Sequence, residues 1–314
     1  MHNLRRFFYQ NKNQIIKTMA IIIFIFLIIQ LINYFVKKNS EKEVANTKSN
    51  TITDKTTTIS GSDKGLISEQ SAITGKDLSK EQLNNGVTAI NNFVSFCNEQ
   101  NLESAYNLLT DECKQQMYTS LEAFKQAYYN DVFNGEKKIC TIENWAGDTY
   151  KVDIKEDMLS TGKANDYSKQ DFITVKKVNG EYKLNINNYI GYTQINKKTT
   201  KDNIIMEVIS ENIYKEYEEY TIKVTNNTEN VIQLDNTNST KTLYLEDSKG
   251  MKYSYYSHEL TEPMLTVQAG QTKEITIKFY SSYVYTKNIE YIVFSNIIST
   301  NGQLSEKIEF RASV

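Results

Sequence analysis

From Leu83 onward, apolar residues recur at alternating steps of four and three: Leu83, Val87, Ile90, Val94 and Cys97. That is the stripe of a helix with one face on a core. Ser79 followed by Gln82 has the capping-box spacing, and Leu78 and Leu83 stand at the positions of a hydrophobic staple. A second short helix is expected over 102–109. A third pattern begins at Thr119, with Glu122 three residues on, and puts Leu121, Phe124, Tyr128 and Val132 on its inner face. After Asn134-Gly135 the period shortens to two. Residues 139–144, 149–154 and 171–178 read as strands, and Asn179-Gly180 is a strong hairpin signal, followed by alternating Tyr182, Leu184 and Ile186.

A polar stretch over 197–202 separates this segment from a second one in which the period is two almost throughout. Tyr220, Ile222 and Val224 alternate with Thr221 and Lys223; Ile275, Ile277 and Phe279 alternate with Thr276 and Lys278; Ile308 and Phe310 repeat the pattern. Asn226-Asn227, 247–250, Ala269-Gly270 and Asn301-Gly302 mark turns between the runs. Short alternating strands at this spacing predict a β-sandwich.

Ahead of both segments lies an uncharged apolar run, long enough over 15–36 for a bilayer-spanning helix. A cleaved signal peptide would need a shorter core and a small-x-small site, whereas Lys37-Lys38-Asn39 follows here. No cysteine lies near the run, which excludes a lipid anchor at that point. Basic residues flank the run on both sides, and the amino-terminal flank holds no acid. The expected organisation is a cytoplasmic tail over 1–14, a transmembrane helix acting as signal anchor over 15–36 and a disordered linker over 37–77. An α+β cone domain over 78–198 and a β-sandwich over 199–314 follow, both extracytoplasmic. The expected fold class is therefore α+β: one amino-terminal spanning helix, the cone, then the all-β sandwich. The linker assignment rests on polar composition without an aromatic residue between Phe35 and Phe93.

Two family resemblances accompany this pattern. Residues 89–109, which open Ala-Ile-Asn-Asn-Phe-Val-Ser-Phe-Cys from Ala89, resemble the start of nuclear-transport-factor-2-like domains. Ser120 to Phe124 and the Val178-Asn-Gly-Glu-Tyr-Lys-Leu184 hairpin are similar to that family's third helix and closing hairpin. Residues 245–253 and 265–275 resemble the central hairpin and a late turn of the immunoglobulin-like domain of Gram-positive envelope proteins. The antibody-type cysteine and tryptophan pattern is absent from this half. The first resemblance implies envelope proteins, including parts of secretion and conjugation channels. It also implies enzymes that use Asp, His or Tyr inside a cone. The segment has no histidine; Trp145, Asp148 and Tyr150 are its candidates for a cone mouth, against an ordinary role in packing and turns.

Charge and composition narrow the function. Of 36 basic residues, six lie at or before Lys38, which leaves 30 against 38 acidic ones, near −8. An acidic surface repels phosphate backbones and argues against nucleic-acid binding. The wealth of Asn, Lys, Ile and Tyr matches an AT-rich, Gram-positive-type genome. Cys97, Cys113 and Cys140 are an odd count, so either one bridge and a free thiol or three buried thiols result; the stripe position of Cys97 favours the second.

Candidate chemistry is sparse. His258-Glu-Leu-Thr-Glu262 lacks the second histidine of a zincin helix, no phosphate-binding glycine loop precedes a helix, and no cysteine pair has metal-ligand spacing. Runs such as Asp153, Glu156 and Asp157, or Glu216, Glu218 and Glu219, read as solvated faces rather than calcium ligands. Catalytic, cofactor and metal residues are expected to be absent. Tyr253, Tyr255 and Tyr256 in one run, with Tyr283 and Tyr285 in another, form the candidate binding face for protein or glycan; strand-friendly tyrosine is the plainer explanation. The expected function is a non-catalytic, membrane-anchored extracytoplasmic interaction or assembly protein of a bacterial cell envelope, a component of a secretion or conjugation complex being one form of it. A ligand-sensing or glycan-binding module is the alternative. The expected partners are the membrane, through 15–36, and other envelope proteins. Nucleic acid is excluded and a homo-oligomer is left open.

Overall fold

The computed structural model describes residues 67–68, 79–157, 168–236, 241–300 and 305–314. Helices come first. α1 (Lys80–Asn98) is capped as its sequence demands: Ser79 Oγ accepts from the Gln82 amide while Gln82 reaches back to Ser79. Leu83, Val87, Ile90, Phe93, Val94 and Cys97 are all buried along its inner face. α2 (Leu102–Asn107) and α3 (Asp111–Met117) follow, capped by Asn101 and Thr110. The third pattern resolves into α4 (Leu121–Phe124), a π turn (Lys125–Tyr129) and α5 (Asn130–Val132). Its cap is Ser120, not Thr119, and Leu121 stays 38% exposed because the inner face starts at Phe124.

These helices cover one sheet, ordered β1 (Ile67–Ser68), β2 (Lys138–Ala146), β3 (Thr149–Glu156), β4 (Ser168–Val178) and β5 (Glu181–Asn185). β1 runs parallel to β2 from within the expected linker, and the other neighbours are antiparallel. Asn179 and Gly180 both take positive φ at the β4–β5 tip, as a two-residue hairpin needs. Phe93, Tyr118, Phe124 and Tyr128 fill the space between helices and sheet, with ring centroids 5.6–6.2 Å apart.

β6 (Tyr189–Lys201) leaves this layer and runs on without a break into the second half. The polar stretch at 197–202 is its outer end. Asp202 and Asn203, both at positive φ, turn the chain into β7 (Ile204–Tyr214). One four-stranded sheet is ordered β13 (Thr272–Phe279), β8 (Glu218–Asn226), β7, β6. The facing sheet is centred on β14 (Ile289–Thr300). It is flanked by β15 (Ser305–Ser313) on one edge, and by β10 (Leu243–Asp247) and β9 (Val231–Gln233) on the other. β11 (Lys252–Ser254) and β12 (Thr266–Val267) extend β10 and β9. Met206, Val208, Ile222, Val224, Ile277 and Phe279 meet Leu245, Ile292, Phe294 and Phe310 in one apolar core. All the described residues fall within one compact unit, Thr56–Val314.

The α+β fold class headed by a spanning helix is corrected. The described residues are 50% strand and 24% helix, a mostly β chain. Among the described residues, helices longer than four residues lie within 80–132, whereas β6 carries extended chain through the expected boundary. The apolar run over 15–36 lies outside the described residues, as do the tail over 1–14 and most of 37–77. Among the described residues no helix is long and apolar enough to cross a membrane. The longest, α1, is amphipathic, with Lys80, Glu81 and Asn residues on its outer face. The membrane, transmembrane-helix and signal-anchor expectations are withdrawn with the fold class.

Candidate functional site

The site is built where β7 and β8 approach the helical layer. Strand alternation sends Tyr220, Ile222 and Val224 inward, and the same phase sends Glu218 inward two residues earlier. Across the ladder on β7, Glu211 is the partner of Tyr220. Tyr220 Oη lies 2.7 Å from Glu211 Oε1 and 3.2 Å from Glu218 Oε2. One phenolic proton thus serves two carboxyl groups.

Lys287 supplies the local cation. Its ammonium pairs with Glu218, the two side chains being 6% and 2% exposed, and also donates to Ser281 Oγ and the Ser282 carbonyl. Burial pushes the Glu211 carboxyl up to about 7, helped by the negative charge of Glu218. Burial raises Glu218 as well, against the opposing pull of Lys287. The Tyr220 hydroxyl is held well above its ordinary value by burial and by both carboxylates.

The loop between β13 and β14 walls this group. Its backbone is tied down by Tyr280 N–H to the Ser254 carbonyl and Tyr283 N–H to the Lys215 carbonyl, each at 2.8 Å. Tyr283 packs on Trp145 at 5.7 Å, and Trp145 on Phe172 at 4.5 Å. Tyr285 lies over Gly147, where an added Cβ would stand 2.5 Å from its ring. A groove of about 440 Å³ results, lined by Glu211, Glu218, Tyr220, Tyr283, Tyr285 and Lys287 among others. A second recess of about 180 Å³ adds Asp148, Thr149, Thr174 and Lys176 from the helical half. Thr193, Ile213, Tyr283 and Tyr285 line both. Both halves of the chain therefore meet at this loop. A larger recess, about 610 Å³, lies at Glu262, Pro263 and Lys273. Lys273 there is bonded to the Pro263 and Thr266 carbonyls, and no buried ionisable side chain faces it.

The five candidate tyrosines do not form one face. Tyr283 and Tyr285 wall the groove. Tyr253 stands behind it, with Lys287 5.2 Å from its ring centroid and its hydroxyl donating to Asp247. Tyr255 is fully buried in the sandwich and donates to Asp235 at 2.6 Å. Tyr256 stacks on the half-exposed Tyr280 at 3.4 Å, with Lys278 4.8 Å from its centroid. Trp145 packs between Phe172 and Tyr283, Asp148 lines the smaller recess, and Tyr150 is buried against Gly86. Inside that domain, Asp171 accepts from Tyr128 Oη and from the Asn187 and Asn188 amides. His258 is exposed beside Glu259. Among the described residues no cluster of metal-ligating side chains occurs. Cys97, Cys113 and Cys140 are buried free thiols.

Glu211, Glu218, Tyr220 and Lys287 were missed from the sequence. One signal was available: Glu218 shares the inward phase of Tyr220, Ile222 and Val224, which sets it apart from Glu219 on the opposite face. Nothing local foretells Lys287, which reaches Glu218 from a loop 69 positions away in the chain.

No protein-family model matches this chain, and no curated protein matches it either. A conserved hypothetical protein from Bacillus anthracis, known from a crystal structure at 2.2 Å, is similar at 11% identity over 38% of this chain and 96% of its own. The TM-score is 0.24, too low to carry either fold or function.

Proposed function

We propose that this chain is a non-catalytic interaction protein of a bacterial cell envelope that docks a partner protein in the groove walled by Tyr283 and Tyr285. One observation carries the reading: two tyrosines on a backbone-anchored loop stand beside an ionic group already fixed in place. Tyrosine brings large contact area at low entropy cost, and it is enriched at protein interfaces. A fixed Lys287–Glu218 pair adds charge without the cost of ordering long side chains on binding. The envelope setting rests on the resemblance of the two segments to envelope-protein domains. The test is a photo-activated cross-linking residue in place of Tyr285, in the native host. A discrete covalent adduct with one protein is expected, absent when the same residue replaces exposed Met251. Equal adducts from both positions, or none from Tyr285, would sink the reading.

A glycan-binding second reading is favoured by the Tyr256–Tyr280 stack, since Tyr280 is 50% exposed and sugar rings lie against aromatic faces. Retention on immobilised envelope glycan that disappears in Tyr280→Ala would support it; unchanged retention would end it.

A further inference from the structure

Charge in the groove is unevenly matched. Glu218 has Lys287. Lys197, also on the lining, bonds the Val314 oxygen at 2.5 Å. Glu211 forms no salt bridge among the described residues. Its hydrogen bond there is the one to Tyr220 through Oε1, at 2.7 Å. A partly buried carboxylate without a salt bridge, on which Lys287 acts only from a distance, therefore lies in the same groove as two tyrosine rings. Rings attract cations through their faces, and a carboxylate binds a guanidinium through paired hydrogen bonds. Arginine uses both at once, because its planar head stacks on aromatics while its fork meets a carboxylate; lysine offers only a compact, strongly hydrated charge.

We propose that the groove receives an arginine side chain of the partner protein, with Glu211 as its carboxylate and Tyr283 and Tyr285 as its walls. This rests on the protein-docking reading above. Glu211 gains a direct ion pair, which it lacks among the described residues, and the guanidinium is desolvated against rings rather than against hydrocarbon. Glu218 stays with Lys287 and offsets most of its charge, so the incoming cation meets a carboxylate that has no salt bridge among the described residues.

The test uses the full chain and Nα-acetyl-arginine amide as the probe. Trp145, the chain's one tryptophan, contacts Tyr283 and reports occupancy by fluorescence. Saturable binding is expected. The citrulline analogue, equal in shape but uncharged, should bind roughly ten- to a hundredfold more weakly, as should arginine amide to Glu211→Gln. Gln keeps an acceptor for Tyr220, so a melting temperature no lower than that of the wild type separates lost recognition from lost folding. Equal binding of the citrulline compound, or undiminished binding to Glu211→Gln, overturns the arginine assignment and leaves the docking reading standing. Saturation by a neutral chito-oligosaccharide but not by arginine amide overturns both in favour of a glycan. No response to any probe, alongside a Tyr285 cross-link, overturns the arginine assignment alone. No response and no cross-link removes both.

Discussion

Replacing Lys287 by Met keeps the aliphatic stem and deletes the ammonium. Glu218, with its side chain only 2% exposed, is then left with Tyr220 as its described partner besides Ser281. Breaking a buried pair from one side costs about 3–5 kcal/mol, because the remaining charge is stranded. The lower part of that range is expected, since the Tyr220 hydroxyl remains as a donor. The cost should depend on pH with a definite sign. Burial already raises the Glu218 carboxyl, and Lys287 is the main influence holding it down. Its removal lifts the folded-state value further. A carboxyl raised on folding carries no penalty below its unfolded value, near ~4.3, and its full penalty above the folded one. Lys287→Met should therefore be nearly harmless at acid pH and most damaging at pH ~8. Urea unfolding followed by Trp145 fluorescence measures this, comparing midpoints at equal slope. Adding Glu218→Gln should restore most of the loss, because the stranded charge disappears with it. A single variant that loses under about 1 kcal/mol at the alkaline end, or equally at both ends, would refute the burial argument.

Glu211→Gln makes the complementary case. Its carboxyl is raised to about 7 on folding, so the wild type loses stability as pH climbs from the unfolded value through 7. The variant should be more stable by about 3 kcal/mol at alkaline pH and little different near the unfolded carboxyl value, as read by urea midpoints; a flat difference would count against it. Gly86→Ala would put a Cβ 2.2 Å from Tyr150 Oη, where α1 crosses β3. Overpacking of this kind costs about 1–3 kcal/mol, and an unchanged melting temperature would show that the helix shifts freely. Burial pushes the Cys113 and Cys140 thiols up to about 12 and raises Cys97 further still. Native protein should resist a thiol reagent and the denatured, non-reduced chain should react at three cysteines; fewer would reveal a bridge.

Local patterns were readable wherever one element buries one face. The Ser79–Gln82 cap, the α1 stripe and the Asn179-Gly180 turn are decided within a few residues, and they appear as read. The second half's turns were also visible, although not their reasons. Asn226 is fully buried, donating to the carbonyls of Asn230, Val267 and Gln268, so it ties two loops together rather than merely reversing the chain. α3 escaped notice because a seven-residue helix offers too few positions for a period. The stretch at 197–202 looked like a linker because β6 is exposed on its outer edge. Lys and Thr there satisfy solvent on one side and the β7 ladder on the other.

The candidate site was far less readable. Tyrosine runs drew attention, yet Tyr255 went to the core, Tyr256 to a surface stack and Tyr283 with Tyr285 to the groove. Where each ring ends depends on the neighbouring sheet, which the alternation of one strand does not specify.

By itself, the order of residues determined which segments are helical or extended, where they cap and turn, and which face of each is buried. Those are short-range matters of backbone geometry and periodicity. Tertiary structure alone decided that β6 joins the two halves, and that Lys287 comes back to Glu218. It alone placed Glu211 in a groove with Tyr283 and Tyr285 and without a salt bridge among the described residues. Such pairings join residues far apart in the chain, and they form only once burial makes an uncompensated charge expensive enough to select its partner.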